Sequence, residues 1–494
     1  MQRQGTLYIY HEKRVDCVAN IDRPRPIDTI LTAIAEYTMN TEITSPRAYT
    51  MAKWALLDAM GSGILALNYP ECRKLLGPVV PGAEIPDGCR IPGLPYRLDP
   101  VQAAFNITCM NRWLDYNDTW LAEEWGHPSD NIGAILASAE WQSRKHLQLG
   151  RSPLIMRDVL TAIIKAYEIQ GVLSLQNSLN KVGLDHVLFV KVASTAVSAF
   201  LLGATMPQVV NALSNAWIDN GPLRTYRHGL NTGSRKSWAS ADAASRAVRL
   251  SLIALADEMG YYTALSEPQW GFNDVVMRGN AIHLSQPLAA YVIEHVLFKV
   301  AYPAEFHGQT AVEAAIALHP AVRDRFEQIA QIDIETQESA MRIINKTGPL
   351  RNAADRDHCL QYMTAVGLLY GRLGAEDYLD QVAQDPRIDR LRGKMAVREN
   401  LAFSQDYLDP RKRSIANAVQ IRFDDGTYSP RVLVEYPLGH YRRRREAEGL
   451  LWEKFQKNLA TWYVGPRVQR LLDLMRSASW ETMSVPEFME LWQM

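Results

Sequence analysis

The chain has 494 residues with 47% hydrophobic and 22% charged content, the composition of an ordinary globular protein. Single hydrophobic cores stop growing at about 250–300 residues, so two domains are expected. Lys plus Arg number 53 against 54 Asp plus Glu, a formal net charge of −1, which leaves no electrostatic case for nucleic acid or a membrane surface as partner.

The N-terminus is polar and has no apolar h-region, so no secretory signal is expected. The cysteines, Cys17, Cys72, Cys89, Cys109 and Cys359, are odd in number and widely spaced. They form no CxxC or Cys/His cluster, so neither zinc nor an iron–sulfur cofactor is indicated, and reduced cytoplasmic thiols are the simple reading. Helical apolar spacing runs over Ile30–Met39, Ala52–Leu67 and Pro100–Leu114, with Asp99 as cap and Pro100 in the first turn of the last. Ser129 can cap a helix through Ile132, Ile135 and Leu136. Further helices are expected at Met156–Gln170, Val187–Leu202, Met206–Trp217 and Ser237–Met259, the last ended by Gly260. The apolar stretch from Val187 to Ala204 carries Lys191 and reads as a buried helix, because a membrane span needs about 20 apolar residues. The small residues Ala239, Ala241, Ala243, Ala244 and Ala247 suit close helix–helix approach.

After about residue 270 the character changes. Gln331–Thr336 and Ala418–Phe423 alternate at period two, as half-buried strands do. Asp425-Gly426 then reads as a hairpin turn, with Ser429–Tyr436 returning. Helices fall at Ala311–Leu318 and His358–Gly371, and the helical pattern resumes after Pro437, through Leu450–Asn458 and Val468–Met475. The expected fold is mainly α: a large all-helical domain over 1–270, a smaller α+β lid domain over 271–437, and C-terminal helices over 438–494 that pack back on the first.

Asn111–Trp120, followed by His127-Pro128-Ser129-Asp130, places carboxylates, a hydroxyl and an imidazole among Trp113, Tyr116, Trp120 and Trp125. Such groups make a proton-transfer set, and aromatic walls exclude water from it. If the Pro100 helix continues, Asp115, Asp118 and Thr119 share one face, with His127 in the next loop. The alternative is that Asp118 and Ser129 are caps and His127 an ordinary loop histidine. Arg224-Thr225-Tyr226-Arg227-His228 and Ser234-Arg235-Lys236-Ser237-Trp238 gather cations before a helix start, which suits bound carboxylates or a solvated basic loop. The segment from Lys299 to Thr310 interrupts an apolar stretch where domains are expected to meet, and ligand sites favour such places. Its polar residues include Glu305 and His307. In Ala354–Cys359, Asp355 and Asp357 read as helix caps, leaving Arg356 and His358 as anion contacts. His440–Arg445 reads as a solvated basic run. No P-loop, dinucleotide glycine loop, HExxH or GxSxG occurs.

Five segments, in order, resemble motifs of the MmgE/PrpD family in its dehydratase form. They are Trp113–Trp120 with Trp125–Asp130, Ser234–Trp238, Pro303–His307, Ala354–Cys359 and Arg413–Asn417. The likeness extends from about Asp28 to the C-terminal helices. It implies an active site between a helical domain and an α+β lid, a homodimer, and chemistry without an iron–sulfur cluster. The implied activity is dehydration of 2-methylcitrate to 2-methyl-cis-aconitate in propionate breakdown. Sister branches decarboxylate cis-aconitate or epimerise iminodisuccinate. A citrate/aconitate hydratase, or a tricarboxylate-binding dimer without chemistry, are the other readings. Carried over, the motifs point to Asp115, Thr119, His127 and Lys236. His127, oriented by Asp115, is expected to move the proton, and Lys236 to hold a carboxylate or act as acid. Thr119, Asp118, Arg235, Lys299, His307 and Arg356 are the expected substrate contacts.

Overall fold

The computed structural model describes residues 26–494 apart from positions 220 and 410. The N-terminal stretch read as lacking a secretory signal, and Cys17 within it, lie outside the described residues.

The first unit is not all helix as expected, because Cys89–Arg90 and Arg97–Leu98 pair as a short antiparallel ribbon; the rest is dominated by the helices Thr29–Asn40, Pro46–Ala66, Pro100–Arg112, Ile132–Gln148, Met156–Ser174, Val187–Leu201, Met206–Ile218 and Arg235–Leu255. The second helix starts before the expected Ala52, because Ser45 Oγ accepts from Ala48 N and Pro46 fills the first position. The Asp99 carboxylate accepts from Val101 N and Gln102 N, as its position implied. The Ala-rich helix stops at Leu255 rather than Met259, and Asp257 turns into left-handed backbone, φ 63°. Gly260 is therefore not its terminator. A Cβ there would lie 2.5 Å from Asn211 Cα, so close backbone approach is what demands glycine.

Leu31, Leu56, Ile107, Ile135, Leu160, Phe189 and Val248 share one core with Leu451, Phe455, Leu471 and Trp492 of the C-terminal helices Arg444–Ala460, Gly465–Arg476 and Val485–Trp492. Phe272, Val292, Phe298 and Val300 also belong to it, whereas the second core opens at Ala304. Packing thus places the changeover between Val300 and Ala304, later than the 270/271 boundary suggested by pattern.

The second unit is built on a four-stranded sheet in the order Met395–Glu399, Ile329–Thr336, Asn417–Phe423, Val432–Val434. Ile332 stands opposite Ile421 and Ile334 opposite Val419, so the alternating apolar residues face one side. There the helices Gln309–Val322 and Leu360–Tyr370 cover them with Val312, Leu318, Met363 and Leu368. Among the described residues no helix is long and apolar enough to cross a membrane.

A small apolar cluster of Leu121, Leu297, Phe306, Tyr407 and Ile415 joins the two units. The basic run at 440–445 is only half solvated. Arg443 pairs with Glu313 and Glu446, and Arg444 donates to the Gly439 and Val296 carbonyls. These contacts brace the C-terminal helix against both units.

Candidate active site

The Pro100–Arg112 helix ends three residues before Asp115, whose backbone is left-handed, φ 50°. Asp is among the few non-glycine residues that tolerate this region. The chain then reverses, so Asp115, Asp118 and Thr119 do not share a helical face as expected. Instead Thr119 N and O pair with Leu297 O and N at 2.8 and 2.9 Å. That bridge carries Lys299 under the turn, where its Nζ meets Asp115 Oδ1 at 2.8 Å and the Asp115 carbonyl at 2.7 Å.

Arg112, at the last helical position, holds the same carboxylate at 2.5 Å. Burial alone would raise the Asp115 pKa, but the Arg112 and Lys299 cations outweigh it and hold the carboxyl well below its usual range. His127 Nδ1 lies 2.6 Å from the Asp118 carbonyl, which only a ring N–H can satisfy. Its Nε2 is then the bare nitrogen, 2.8 Å from Arg112 Nη2 and 3.8 Å from Asp115 Oδ1. Burial and the Arg112 charge push its pKa well below the usual imidazole value, which favours the neutral ring. Thr119 Oγ1 stands 3.4 Å from the same ring.

The Asp118 carboxylate turns inward, accepting from Ser129 N at 3.1 Å and Ser129 Oγ at 2.6 Å. Ser129 therefore does not cap the next helix, which starts at Ile132 after a 3-10 turn over Pro128–Asn131. Burial raises the Asp118 pKa to about 6.

Lys236 opens the Ala-rich helix and reaches across to the second unit. Its Nζ meets both Asp357 oxygens, at 2.5 and 2.7 Å, and His358 Nδ1 at 3.0 Å. Asp357 is thus a partner of Lys236 rather than a helix cap. Asn352 caps that turn, and Asp355 accepts from Arg351 N. Burial lowers the Lys236 pKa, with Asp357 opposing. His307, buried, is clamped between Glu305 Oε1 at 2.7 Å and the Tyr407 hydroxyl at 3.1 Å.

Above these groups a cleft of about 270 Å³ lies between the units. Lys236, Glu305 and His358 line it, together with His186, Arg224, Arg227, Arg342 and Lys346. Trp125 forms one wall, with the Arg224 guanidinium 5.3 Å and the Arg342 guanidinium 5.4 Å from its ring centre. The excess of cations fits a multiply charged anion. His127 sits one layer behind, its ring 5.6 Å from that of His186.

Asp115, His127 and Lys299 are therefore brought together, and Lys236 faces the cleft. Arg235 does not: it lies over the Trp238 ring at 4.2 Å and pairs with Asp242. Arg356 lines a different cavity of about 480 Å³, bonding Tyr378 O and Asp380. Sequence reasoning missed Arg112 and His186. Arg112 had a signal in its i,i+3 spacing from Asp115. His186 follows Asp185, which binds Arg224 and Arg227 beside it, and burial holds its pKa down at about 3. Among the described residues no group of three or more His, Cys, Asp or Glu side chains is placed to hold a metal ion.

Residues 32–285 match the MmgE/PrpD N-terminal domain and residues 302–479 the MmgE/PrpD C-terminal domain. The chain belongs to the MmgE/PrpD family. It is 54% identical over 479 residues to a 2-methylcitrate dehydratase of Escherichia coli (strain K12), covering 96% of this chain and 99% of that one. Identity to the 2-methylcitrate dehydratase of Cupriavidus necator is 55% over 474 residues, 95% and 98% of the two chains. A fungal relative, the mitochondrial 2-methylcitrate dehydratase of Yarrowia lipolytica, is 48% identical over 456 residues, 91% and 88% of the two.

Proposed function

We propose that this protein is a 2-methylcitrate dehydratase, a hydro-lyase that converts 2-methylcitrate to 2-methyl-cis-aconitate and water. The observation that carries this reading is the near full-length identity to proteins of that name in bacteria and fungi. The cation-lined cleft between the units supports it independently, since the substrate carries three carboxylates.

The carbon that loses its proton bears a methyl group and a carboxylate, and the neighbouring carbon loses hydroxide. We assign the C–H proton to His127 Nε2, because the Asp118 carbonyl fixes the other ring nitrogen as a donor. A small turn of Arg112 toward Asp115, which it already holds at 2.5 Å, frees that lone pair. Lys236, whose ammonium burial makes more acidic, gives a proton to the leaving hydroxide, so that water departs. Enolate-like charge on the adjacent carboxylate is met by the cations of the cleft. Arg224, Arg227, Arg342 and Lys346 anchor the remaining carboxylates, and Lys299 and Asp115 keep Arg112 and His127 in place.

The working form is proposed as a cytoplasmic homodimer that needs no metal. Ile253, Met259, Tyr261, Trp270 and Val275, at the end of the Ala-rich helix and in the segment after it, are exposed apolar side chains of the kind that pairing covers. Light scattering tests the dimer. Chelator-treated protein mixed with racemic 2-methylcitrate tests the activity, through absorbance of the new conjugated double bond. Rapid growth with 2-methylcitrate and slow growth with citrate supports the reading. No signal with either, from folded protein, overturns it and directs the assay to carbon dioxide release from cis-aconitate. Near-normal turnover in His127→Ala or Lys236→Ala removes that residue from the scheme.

A further inference from the structure

Lys454 belongs to the Arg444–Ala460 helix and does not line the cleft. Its ammonium is buried, as is the Asp58 carboxylate beside it. An ammonium has three donors, and the three hydrogen bonds found go to Asp58 Oδ1 at 2.6 Å, Tyr116 O at 2.5 Å and Lys299 O at 2.8 Å. It also sits 3.6 Å from the centre of the Tyr116 ring.

Two of those acceptors are backbone carbonyls of the segments that build the proton-transfer cluster. Tyr116 follows Asp115 directly, and Lys299 is the residue whose side chain grips Asp115. Far apart in the chain, these segments are tied near this point by the Thr119–Leu297 bridge on one side and Lys454 on the other. We infer that Lys454 is a positioning residue for the dehydration, a buried cation from the C-terminal helix that sets the Lys299 segment against the Asp115 turn. The inference rests on the proposed dehydratase reading and deepens it. Through Lys299 and Asp115 the tether reaches Arg112 and His127, so loosening it misplaces the base without removing any group that touches substrate.

Removing Lys454 alone strands a buried carboxylate, so the test uses Asp58→Asn as background. In Asp58→Asn the lysine keeps both carbonyls, and kcat is expected within about twofold of the parent. In Asp58→Asn/Lys454→Met both carbonyls are released and no charge is left buried. There kcat is expected to fall at least about tenfold, since ~1 Å of misplacement can cost ~10²-fold, with KM little changed. The acid limb of kcat/KM should also move to higher pH. The groups facing His127 are Arg112, Asp115, Lys299 and His186, and withdrawal of the Lys299 cation makes its ring easier to protonate. A merely structural role would lower the unfolding midpoint and leave that limb in place. Wild-type kcat and an unmoved limb in the folded methionine pair overturn the inference, as does an equal loss in Asp58→Asn alone. Should the methionine pair fail to fold, Asp58→Asn/Lys454→Gln decides. Its amide stops one bond short of the ammonium and cannot hold both carbonyls, so loss of kcat in folded protein supports the tether and retained kcat overturns it. If the parent protein shows no dehydration at all, the failure lies in the dehydratase reading.

Discussion

Replacing Lys236 by methionine removes one half of a buried ion pair and the cleft's proposed acid at once, and the two effects can be separated. The Lys236 and Asp357 side chains are 4% and 12% exposed and meet at 2.5 Å. Breaking a pair of this kind from one side costs ~3–5 kcal/mol, because the remaining charge stays buried. His358, 2.8 Å from Asp357, can take up a proton and offset part of that, so a loss near ~3 kcal/mol is expected. Loss of a preorganised donor at developing charge lowers kcat by ~10²–10³. The double variant Lys236→Met/Asp357→Leu leaves no unpaired charge, and apolar replacement of a buried pair is close to neutral in stability. The unfolding midpoint in urea should therefore fall in the single variant and recover in the double. Turnover, followed by the absorbance of the conjugated product, should stay low in both. Recovery of turnover in the double variant would show that Lys236 serves only the seam between the units and would refute its role in the reaction.

Burial raises the Glu124 pKa from 4.5 to about 7. Between those values the folded state keeps a proton that the unfolded chain gives up, so stability falls as pH rises through that window and is level above it. Glu124→Gln should remove this decline, gaining up to ~3 kcal/mol over the parent by pH 8 and little at pH 4.5. Identical pH dependence of the two urea midpoints would discard the idea. Lys299→Met leaves Asp115 held by Arg112 alone, and kcat should drop ~10²-fold with KM within a few-fold in steady-state assays; an unchanged kcat would take Lys299 out of the cluster. Arg224→Gln should raise KM for 2-methylcitrate about 10- to 100-fold, the worth of one charged hydrogen bond, with kcat nearly preserved. A kcat-only defect would mean that Arg224 does not anchor substrate.

The fold was legible wherever one periodicity ran uninterrupted. The Pro100 helix carried its cap in Asp99, and the Gln331 and Ala418 strands carried their buried faces as alternation. The Met395–Glu399 strand was not legible, because it lies at a sheet edge with no buried face to leave a pattern. At the site, residue types were legible and roles only in part. His127, Asp115 and Lys236 were proposed from motif, and their roles rest on the proposed chemistry. That Asp118 would turn inward to Ser129, and Asp357 outward to Lys236, depends on which partner lies across a fold contact. Arg112 looked like an ordinary end-of-helix residue until the left-handed turn at Asp115 folded the carboxylate back on it.

That turn also bears on how a neutral His127, the proposed base, can sit beneath a cationic cleft. A trianion needs positive charge, yet a protonated imidazole could not accept the substrate's proton. The structure separates the two demands by depth. At the cleft, Asp185 answers only part of the charge of Arg224 and Arg227, while Arg342 and Lys346 come from the second unit. One layer down, burial comes first and the Arg112 and Lys299 charge left over by Asp115 second in keeping His127 unprotonated, without cancelling the attraction above it. An Asp115 variant would disturb both layers. With the carboxylate gone, Arg112 and Lys299 repel each other beneath the histidine, and the geometry that keeps the base bare is lost together with its charge balance.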